Sequence, residues 1–355
     1  MIVLRTELSL LVMHFNPVYA TFALLAMPMQ SLHAESIYHL VVFGDSLSDN
    51  GNAAASRAAA GETLGNYAAN AFTDGPQTVP ATTGPYGLWI DQFAAILKVP
   101  DPQPFLVNTP LGPSGGILAA NPSATNFAFA SALAGNNPGF SSTDYLNPAN
   151  QQVPGTTNQV ALFLLFNGQQ ASPENFYVFW AGAENIYQSL GNVWNFFLFP
   201  VIAKDAADAI AANIATLASA GAKHFMWLNL PPLGDIPYVS DNSDPFVRDL
   251  GKGAGDFAAL IFNNEMASDI ASLERTYEID ITVVNTNSLF NSIVASPGTY
   301  GFVNVKDAGW CGTDGVVTCA LDNPNGFLFW DELHPTTAAN NVLAQFARGY
   351  IAGRF

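Results

Sequence analysis

Positively charged residues are scarce in this sequence. Only 11 Lys and Arg stand against 28 Asp and Glu among 355 residues, so the formal net charge is -17. A protein that binds nucleic acid needs a basic surface to neutralise phosphates, and anionic membranes attract basic rather than acidic segments. We therefore expect no nucleic-acid partner, and contact with a membrane or micelle surface that is transient and made by apolar side chains.

Cysteine is almost absent as well. The chain has two cysteines, Cys311 and Cys319, which lie close together. No His or further Cys lies near them at the spacing of a metal site, so they do not predict a bound metal. In an exported protein such a pair indicates a disulfide, and two unpaired thiols are the alternative.

Long apolar runs are missing after the N-terminus. Residues 8–34 carry no Lys, Arg, Asp or Glu, and residues 19–27 form an apolar stretch of signal-peptide length that is followed by the small residue Ala34. This pattern predicts a signal peptide over residues 1–34 that is cleaved near Ala34. We expect one domain over residues 35–355, in a secreted or periplasmic protein.

An uncleaved membrane anchor is the alternative for the N-terminal segment. Asn16, Pro17 and Pro28 interrupt its apolar run and disfavour a stable spanning helix. Met13 offers a second start, which would leave a shorter leader without a basic residue.

Short apolar runs without helical periodicity predict the strands of a sheet buried on both faces. They cover residues 38–43, 176–181, 223–230 and 279–284. Ala- and Leu-rich stretches with helical spacing lie among them, at residues 88–97, 203–220 and 256–272. Strands that alternate with helices predict parallel pairing and an α/β sandwich.

Residues 75–157 are rich in Pro, Gly, Asn and Thr, and we expect them to be loops with little regular structure. Within them, residues 112–116 fit the Gly-x-Ser-x-Gly elbow of α/β-hydrolases. No strand-like run precedes this motif and Pro113 lies inside it, so a loop is the better interpretation.

Ser46 lies in the sequence Gly44-Asp45-Ser46-Leu47, directly after the first apolar run. A side chain in a tight turn after a parallel strand lies at the carboxyl edge of the sheet, where open α/β folds bind ligands. A backbone N–H near the start of a following helix can stabilise an oxyanion. Ser46 is therefore a candidate nucleophile, and an ordinary helix N-cap is the alternative.

A serine nucleophile needs a base, which is usually histidine. His39 and His224 lie in or beside apolar runs and are better explained as structural residues. His334 follows Asp331 by three residues. Asp331 can therefore accept the Nδ1–H of His334 and leave Nε2 free for the serine proton. A surface turn with unrelated charges is the alternative.

Several blocks of this sequence resemble those of a known family. Residues 42–52, Val-Phe-Gly-Asp-Ser-Leu-Ser-Asp-Asn-Gly-Asn, and residues 329–336, Phe-Trp-Asp-Glu-Leu-His-Pro-Thr, are similar to its first and last blocks. Residues 126–132 and 229–234 resemble intermediate blocks, and the resemblance runs over residues 38–350 in the family's order. The sequence resembles the GDSL lipases and esterases, also called SGNH hydrolases. It is most similar to their secreted bacterial phospholipase, lecithinase and haemolysin-like branch.

This resemblance implies the fold and the site. The fold would be a three-layer α/β/α sandwich of flavodoxin-like type with a parallel sheet. Ser46, Asp331 and His334 would form the catalytic triad, and the backbone N–H groups of Ser46 and Ala130 would bind the oxyanion. The family often has Gly where this chain has Ala130, but a backbone N–H can come from either residue.

The third family block, Gly-x-Asn-Asp, supplies an Asn side-chain amide to the oxyanion. This chain has Gly182-Ala183-Glu184-Asn185, so strict alignment places Glu184 at the donor position. An ionised Glu cannot donate a hydrogen bond and would repel the developing negative charge. We expect the turn to shift by one residue, so that Asn185 donates to the oxyanion and Glu184 points to solvent. Without that shift the hole has lost a donor.

These residues predict ester hydrolysis through an acyl-enzyme on Ser46, with no metal ion or cofactor. The resemblance favours lipid esters such as lysophospholipids, and we expect a monomer. A carbohydrate O-acetyl esterase is the alternative enzyme, and an inactive SGNH domain retained for binding is the alternative of another class. The aromatic-rich residues 194–200 could line an acyl-chain pocket, although core packing explains any one of these aromatics as well.

Overall fold

The structure is a computed structural model. It describes residues 39–64, 67, 71–74, 87–112, 115–141, 145–147, 152–190, 197–241, 245–308, 310, 311, 319, 320 and 324–351. All of these residues belong to one compact unit, Glu35–Phe355. The signal peptide over residues 1–34 lies outside the described residues and stays a prediction.

The predicted apolar runs form a four-stranded parallel sheet. Its strands have the spatial order β1-β4-β5-β6. Every residue of β1 and β4 is buried, as expected of strands covered on both faces. In chain order, the strands that the structure describes are β1 (Leu40–Gly44), β2 (Leu106–Gly112), β3 (Gly115–Ala120), β4 (Phe176–Trp180), β5 (His224–Leu228), β6 (Asp280–Val284), β7 (Asn304–Ala308), β8 (Trp310–Cys311), β9 (Cys319–Ala320) and β10 (Phe327–Phe329).

Residues 125–129 run parallel to the other edge of β1. Val42 donates to the Thr125 carbonyl and accepts from the Phe127 N–H, both at 2.8 Å, and the Gly44 carbonyl accepts from the Phe129 N–H at 3.1 Å. The segment follows β1 in the chain and precedes β4, so the five positions have the order 2-1-3-4-5. This is the strand order of flavodoxin-like sheets, whose ligands bind at the carboxyl end of the first strand.

Helices cover both faces of the sheet. Val41 and Phe43 of β1 belong to one core, while Leu40 and Val42 belong to a second core on the opposite face. The helices are α1 (Asn52–Ala59), α2 (Trp89–Leu97), α3 (Thr156–Phe166), α4 (Ala183–Leu190), α5 (Phe199–Ser219), α6 (Pro237–Ser240), α7 (Pro245–Tyr277), α8 (Thr286–Ala295) and α9 (Thr337–Ile351). The predicted three-layer α/β/α sandwich is confirmed. Among the described residues, no helix combines the length and apolarity that a bilayer crossing requires.

An antiparallel hairpin of β2 and β3 lies in the region expected to consist of loops. Leu106 pairs with Ala120, and Gly112 pairs with Gly115. The expectation of little regular structure is wrong here, because most of β2 is exposed on both faces and shows no alternation of apolar and polar residues. Gly112 and Gly115 end the hairpin, so the Gly-x-Ser-x-Gly sequence does not join a strand to a helix.

The two cysteines lie on neighbouring short strands. The backbones of β8 and β9 pair antiparallel, with Cys311 directly opposite Cys319. Residues opposite each other in an antiparallel pair have neighbouring Cβ atoms. The cysteine side chains lie outside the described part of the structure, so the disulfide stays a prediction.

Candidate active site

Ser46 lies in the turn that follows β1, at the carboxyl edge of the sheet. The turn is closed by hydrogen bonds of 3.1 Å from the backbone N–H groups of Ser48 and Asp49 to the carbonyl of Asp45. Helix α1 begins only at Asn52, so Ser46 precedes the helix. The turn exposes one face of the Ser46 side chain to a cavity, although the residue is only 6% exposed.

Gly44 and Gln159 hold the end of β1 in place. The Gly44 N–H donates to Gln159 Oε1 at 2.9 Å, and Gln159 Nε2 donates to the Gly44 carbonyl at 2.8 Å. A Cβ atom at position 44 would lie 2.3 Å from the carbonyl oxygen of Trp180 on β4. Only glycine allows this close approach of two strands, and it sets the position of Ser46 two residues later.

His334 reaches Ser46 from the loop between β10 and α9. Its Nε2 lies 2.8 Å from Ser46 Oγ, and its Nδ1 lies 2.9 Å from Asp331 Oδ2. Asp331 Oδ1 accepts the backbone N–H groups of Leu333 and His334, each at 2.7 Å. The structure thus brings Ser46, His334 and Asp331 together in the hydrogen-bonded chain that the sequence predicted.

Burial and charge have opposite effects on the pKa values of Asp331 and His334. Asp331 and His334 are 4% and 7% exposed. Burial disfavours the carboxylate, but the charge of His334 and the donated hydrogen bonds outweigh it and lower the pKa of Asp331. Burial also disfavours the imidazolium, yet the charge and hydrogen bond of Asp331 raise the pKa of His334 above its ordinary value of 6.5. His334 can therefore take and hold a proton from Ser46, as a general base must.

Tyr67 also contacts Asp331 and His334, and no motif of the sequence predicted this residue. The Tyr67 hydroxyl donates to Asp331 Oδ2 and lies 3.3 Å from His334 Nδ1. Its ring meets the His334 ring edge-on, with centroids 5.7 Å apart, and Phe72 lies 5.2 Å from the same imidazole. Tyr67 belongs to no motif, so no signal in the sequence pointed to it.

The chain matches a protein family over most of its length. The family described as GDSL-like Lipase/Acylhydrolase aligns with residues 40–346.

The chain belongs to this family.

Relatives of this GDSL-family chain come from plants and bacteria. A GDSL esterase/lipase of Arabidopsis thaliana is 28% identical over 291 residues, which cover 73% of this chain and 72% of that protein. The thermolabile hemolysin of Vibrio parahaemolyticus is 28% identical over 159 residues, or 41% of this chain and 35% of the hemolysin. An uncharacterized protein of Pseudomonas putida is 26% identical over 329 residues, or 90% and 49%. For three further Arabidopsis GDSL esterase/lipases, the alignment spans 37%, 57% and 28% of the relative's own length.

The backbone N–H of Ala130 donates a hydrogen bond within the protein and does not face an oxyanion. It donates to Asp49 Oδ2 at 2.9 Å. The same carboxylate accepts the N–H groups of Gly51, Asn52 and Ala53 at the start of α1. The assignment of Ala130 to the oxyanion hole is therefore wrong, because its donor is bound to Asp49.

The backbone N–H of Ser46 remains available for the oxyanion. In the part of the chain that the structure describes, it donates to no protein acceptor. It belongs to the nucleophile itself, so an oxygen that develops on a carbonyl attacked by Ser46 Oγ forms beside it. Ser46 is thus the one member of the expected oxyanion hole whose donor stays free among the described residues.

Asn185 does not reach the oxyanion either. Its Oδ1 accepts the Ala134 N–H at 2.8 Å, and its Nδ2 donates to the Ala134 carbonyl at 3.1 Å. Helix α4 begins at Ala183, directly after β4, so the shifted turn that we expected does not occur. Successive helical side chains point in different directions, with 3.6 residues to a turn. The placement of Asn185 at the oxyanion is therefore wrong.

Glu184 occupies the side of α4 that faces the triad. It lines the same cavity as Ser46 and His334, and Gln188 Nε2 lies 3.4 Å from its Oε2. Burial raises the pKa of Glu184, and Gln188 and His334 offset part of this shift. Burial and the charge of Glu184 also raise the pKa of Asp45 to about 7. The third family block thus places a carboxyl group where the family has an amide.

An apolar cavity opens at Ser46 and His334. Its volume is about 120 Å³. Phe197 and Phe199 do not line it, since Phe197 is exposed and Phe199 is buried in a core, so for Phe199 the structure agrees with core packing, the alternative to an acyl pocket. The apolar wall comes instead from α8, β10 and α9, with the side chains of Leu289, Phe290, Ile293, Leu328, Phe329 and Leu343.

Proposed function

We propose that this protein hydrolyses carboxylic esters with a long apolar acyl chain, through an acyl-enzyme on Ser46. The observation that carries the proposal is the apolar cavity that Ser46 and His334 line together with Leu289, Phe290 and Leu343. Membership of the GDSL-like lipase/acylhydrolase family supports acyl hydrolysis. The similarity to a thermolabile hemolysin fits lipid esters such as lysophospholipids as the substrate class.

The hydrogen bonds that join Ser46, His334 and Asp331 are suited to acyl transfer in two steps. Ser46 Oγ attacks the ester carbonyl while its proton passes to His334 Nε2, 2.8 Å away. Asp331 accepts a hydrogen bond from the Nδ1–H of His334 and stabilises the imidazolium. The Ser46 N–H stabilises the oxyanion. His334 then protonates the leaving alcohol, and it later activates the water that releases the acyl group.

The cavity predicts a graded dependence on acyl-chain length. Each buried methylene contributes about 0.8 kcal/mol, which corresponds to a roughly fourfold gain in kcat/KM where the transition state uses that contact. We expect kcat/KM to rise with chain length until the acyl chain fills the cavity.

A series of nitrophenyl esters from acetate to dodecanoate, with lysophosphatidylcholine alongside, tests this function. Preference for long chains and release of fatty acid from lysophosphatidylcholine support it. Turnover of acetate alone would favour a carbohydrate O-acetyl esterase. No turnover of any ester would favour a binding domain and contradict the proposal.

A variant of the cavity wall separates chain recognition from general effects. Leu343→Phe places a larger side chain in the cavity wall and leaves less room for a long acyl chain, so the ratio of dodecanoate to butyrate hydrolysis should fall. Gln345 lies on the exposed face of the same helix, and Gln345→Phe should leave that ratio unchanged. Equal ratios in both variants and wild type would show that the acyl chain lies elsewhere.

We also infer that the protein is exported and loses residues 1–34. The inference rests on the uncharged, apolar N-terminal segment that ends in a small residue. Expression of the full chain in a bacterial host, followed by N-terminal sequencing of the periplasmic or secreted protein, tests it. A sequence that begins at Glu35 supports cleavage, and one that begins at Met1 or Met13 contradicts it.

A further inference from the structure

Asp331 is a buried anion with no Lys or Arg partner in the part of the chain that the structure describes. Its Oδ1 is occupied by the backbone N–H groups of Leu333 and His334. Its Oδ2 faces His334 Nδ1 at 2.9 Å. A buried carboxylate stays ionised only if hydrogen-bond donors surround it. The second donor to Oδ2 therefore affects both the charge and the orientation of Asp331.

Tyr67 supplies this second donor from a distant part of the chain. Its hydroxyl donates to Asp331 Oδ2, and the hydroxyl oxygen lies 3.3 Å from His334 Nδ1. Burial and the charge of Asp331 raise the pKa of Tyr67 well above its ordinary value. The hydroxyl therefore keeps its proton and acts as the donor in this contact.

Aromatic packing fixes the Tyr67 ring against the imidazole. Tyr67 and His334 meet edge-on at an interplanar angle of 83°. Phe72 lies 4.8 Å from the Tyr67 ring and 5.2 Å from the His334 ring, measured between centroids. These ring contacts therefore hold the Tyr67 hydroxyl beside Asp331.

We propose that Tyr67 is a positioning residue for ester hydrolysis, an inference that rests on the function proposed above: its hydroxyl holds Asp331 in the orientation that directs His334 Nε2 at Ser46 Oγ. Without the hydroxyl, the carboxylate has one hydrogen bond fewer to fix its rotation. The imidazole then samples orientations in which Nε2 does not face Ser46. Proton transfer becomes slower, while the cavity that binds the acyl chain is unchanged.

The Tyr67 hydroxyl and the imidazolium of His334 both donate to Asp331 Oδ2 and therefore share its negative charge. Removal of the hydroxyl leaves more of that charge to His334, so the pKa of His334 rises. The charged groups that act on His334 are Asp331, Glu184 and Asp45, and those that act on Tyr67 are Asp331, Glu332 and Arg57. These groups remain in a Tyr67→Phe variant, so a shift in the pH profile reports the hydroxyl itself.

Tyr67→Phe tests the proposal because it keeps the ring and its packing. We expect kcat to fall about tenfold or more, as for the loss of one hydrogen bond to a charged group. KM should stay the same, and the acid limb of the kcat/KM profile should move to higher pH. Tyr350→Phe is the control, since Tyr350 packs on Phe346 at the end of α9 and should keep the wild-type kcat and profile.

Thermal unfolding and reaction with a fluorophosphonate complete the experiment. The wild-type protein should hydrolyse an ester and react with the fluorophosphonate. A wild-type protein that does neither would contradict the proposed function itself. With an active wild type, a Tyr67→Phe variant that has the same kcat and the same pH profile would overturn the role of Tyr67. A variant with lower kcat and lower melting temperature, but an unshifted pH profile, would also overturn it, because Tyr67 would then be structural only.

Discussion

The Oγ of Ser46 and the Nε2 of His334 are 2.8 Å apart, so these two residues act as one unit in the proposed proton transfer. We expect Ser46→Ala and His334→Ala each to lower kcat by roughly 10⁴-fold or more, and the double variant to be little worse than either single one. Circular dichroism should show the wild-type fold in all three. Residual activity above a few per cent in Ser46→Ala, measured on one nitrophenyl ester, would contradict the nucleophile.

In the proposed reaction an ionised Glu184 opposes the developing oxyanion, because its carboxyl group lines the same cavity as Ser46. Glu184→Gln places an amide donor of the same length in the cavity, so we expect kcat at pH 8 to rise about tenfold or more. Glu184→Asn, which restores the family residue, should act in the same direction. A lower kcat in both variants would show that the Glu184 carboxyl takes part in the reaction.

Asn185→Ala is the matched control for these variants. The amide of Asn185 makes two hydrogen bonds to the backbone of Ala134, so its loss should destabilise the protein by about 1–3 kcal/mol. The melting temperature should therefore fall while kcat on the surviving folded protein changes little. A large loss of kcat without loss of stability would return Asn185 to the oxyanion hole.

The pH dependence of hydrolysis follows from the charges around His334. The neutral imidazole is the active base, so activity is lost as the pH falls through the pKa of His334, which is raised above 6.5. We expect the midpoint of the acid limb of kcat/KM to lie above pH 6.5. Glu184→Gln removes one charge that raises this pKa, so its midpoint should move to lower pH. An unchanged midpoint would show that Glu184 is already neutral in the free enzyme.

Single residues also mark the limit of what the sequence could predict about the site. The structure brings Ser46, Asp331 and His334 within hydrogen-bond distance, and this arrangement was predictable because each lies in a motif whose spacing has a chemical reason. Ala130 and Asn185 were wrongly assigned as oxyanion donors because a motif does not show where an N–H group or a side chain points. Asp49 accepts the Ala130 N–H, and the position of Asn185 on α4 directs its side chain to Ala134. Tyr67 was missed because its contact with Asp331 spans 264 residues without a local pattern.

At the scale of elements, the short hairpin of β8 and β9 carries both cysteines. Its pairing places Cys311 opposite Cys319 just upstream of β10 and the His334 loop. We expect a disulfide here, which stabilises the protein by no more than a few kcal/mol because the loop it closes is short. Thiol counting on denatured, unreduced protein from an oxidising compartment should find none free. Two free thiols would contradict the disulfide.

The buried strands were predictable and the exposed ones were not. β1, β4, β5 and β6 are apolar over nearly their whole length, so their sequences show them without any tertiary information. The strands β2 and β3 contain Pro and several Gly and lie largely at the surface, so composition favoured a loop. Their pairing depends on contact with each other and with α1, which no single segment encodes.

At the scale of the whole molecule, the excess of acidic residues affects stability. The net charge of -17 is unchanged after loss of residues 1–34, since that segment holds one Arg and one Glu. Self-repulsion destabilises the compact state and salt screens it. We expect the melting temperature to rise by a few degrees (roughly 1 kcal/mol) between 10 mM and 0.5 M NaCl, and KCl should act alike. A falling melting temperature would show that attractive ion pairs dominate.

The contact between Ser46 and His334 joins residues 288 positions apart in the chain. Such a long loop is closed late, because its entropic cost is met only after other contacts have formed. During synthesis Ser46 therefore emerges 288 residues before His334. The nascent chain is catalytically silent until His334 has emerged and the site has closed, and recovery of hydrolysis during refolding reports completion of the native topology rather than early collapse.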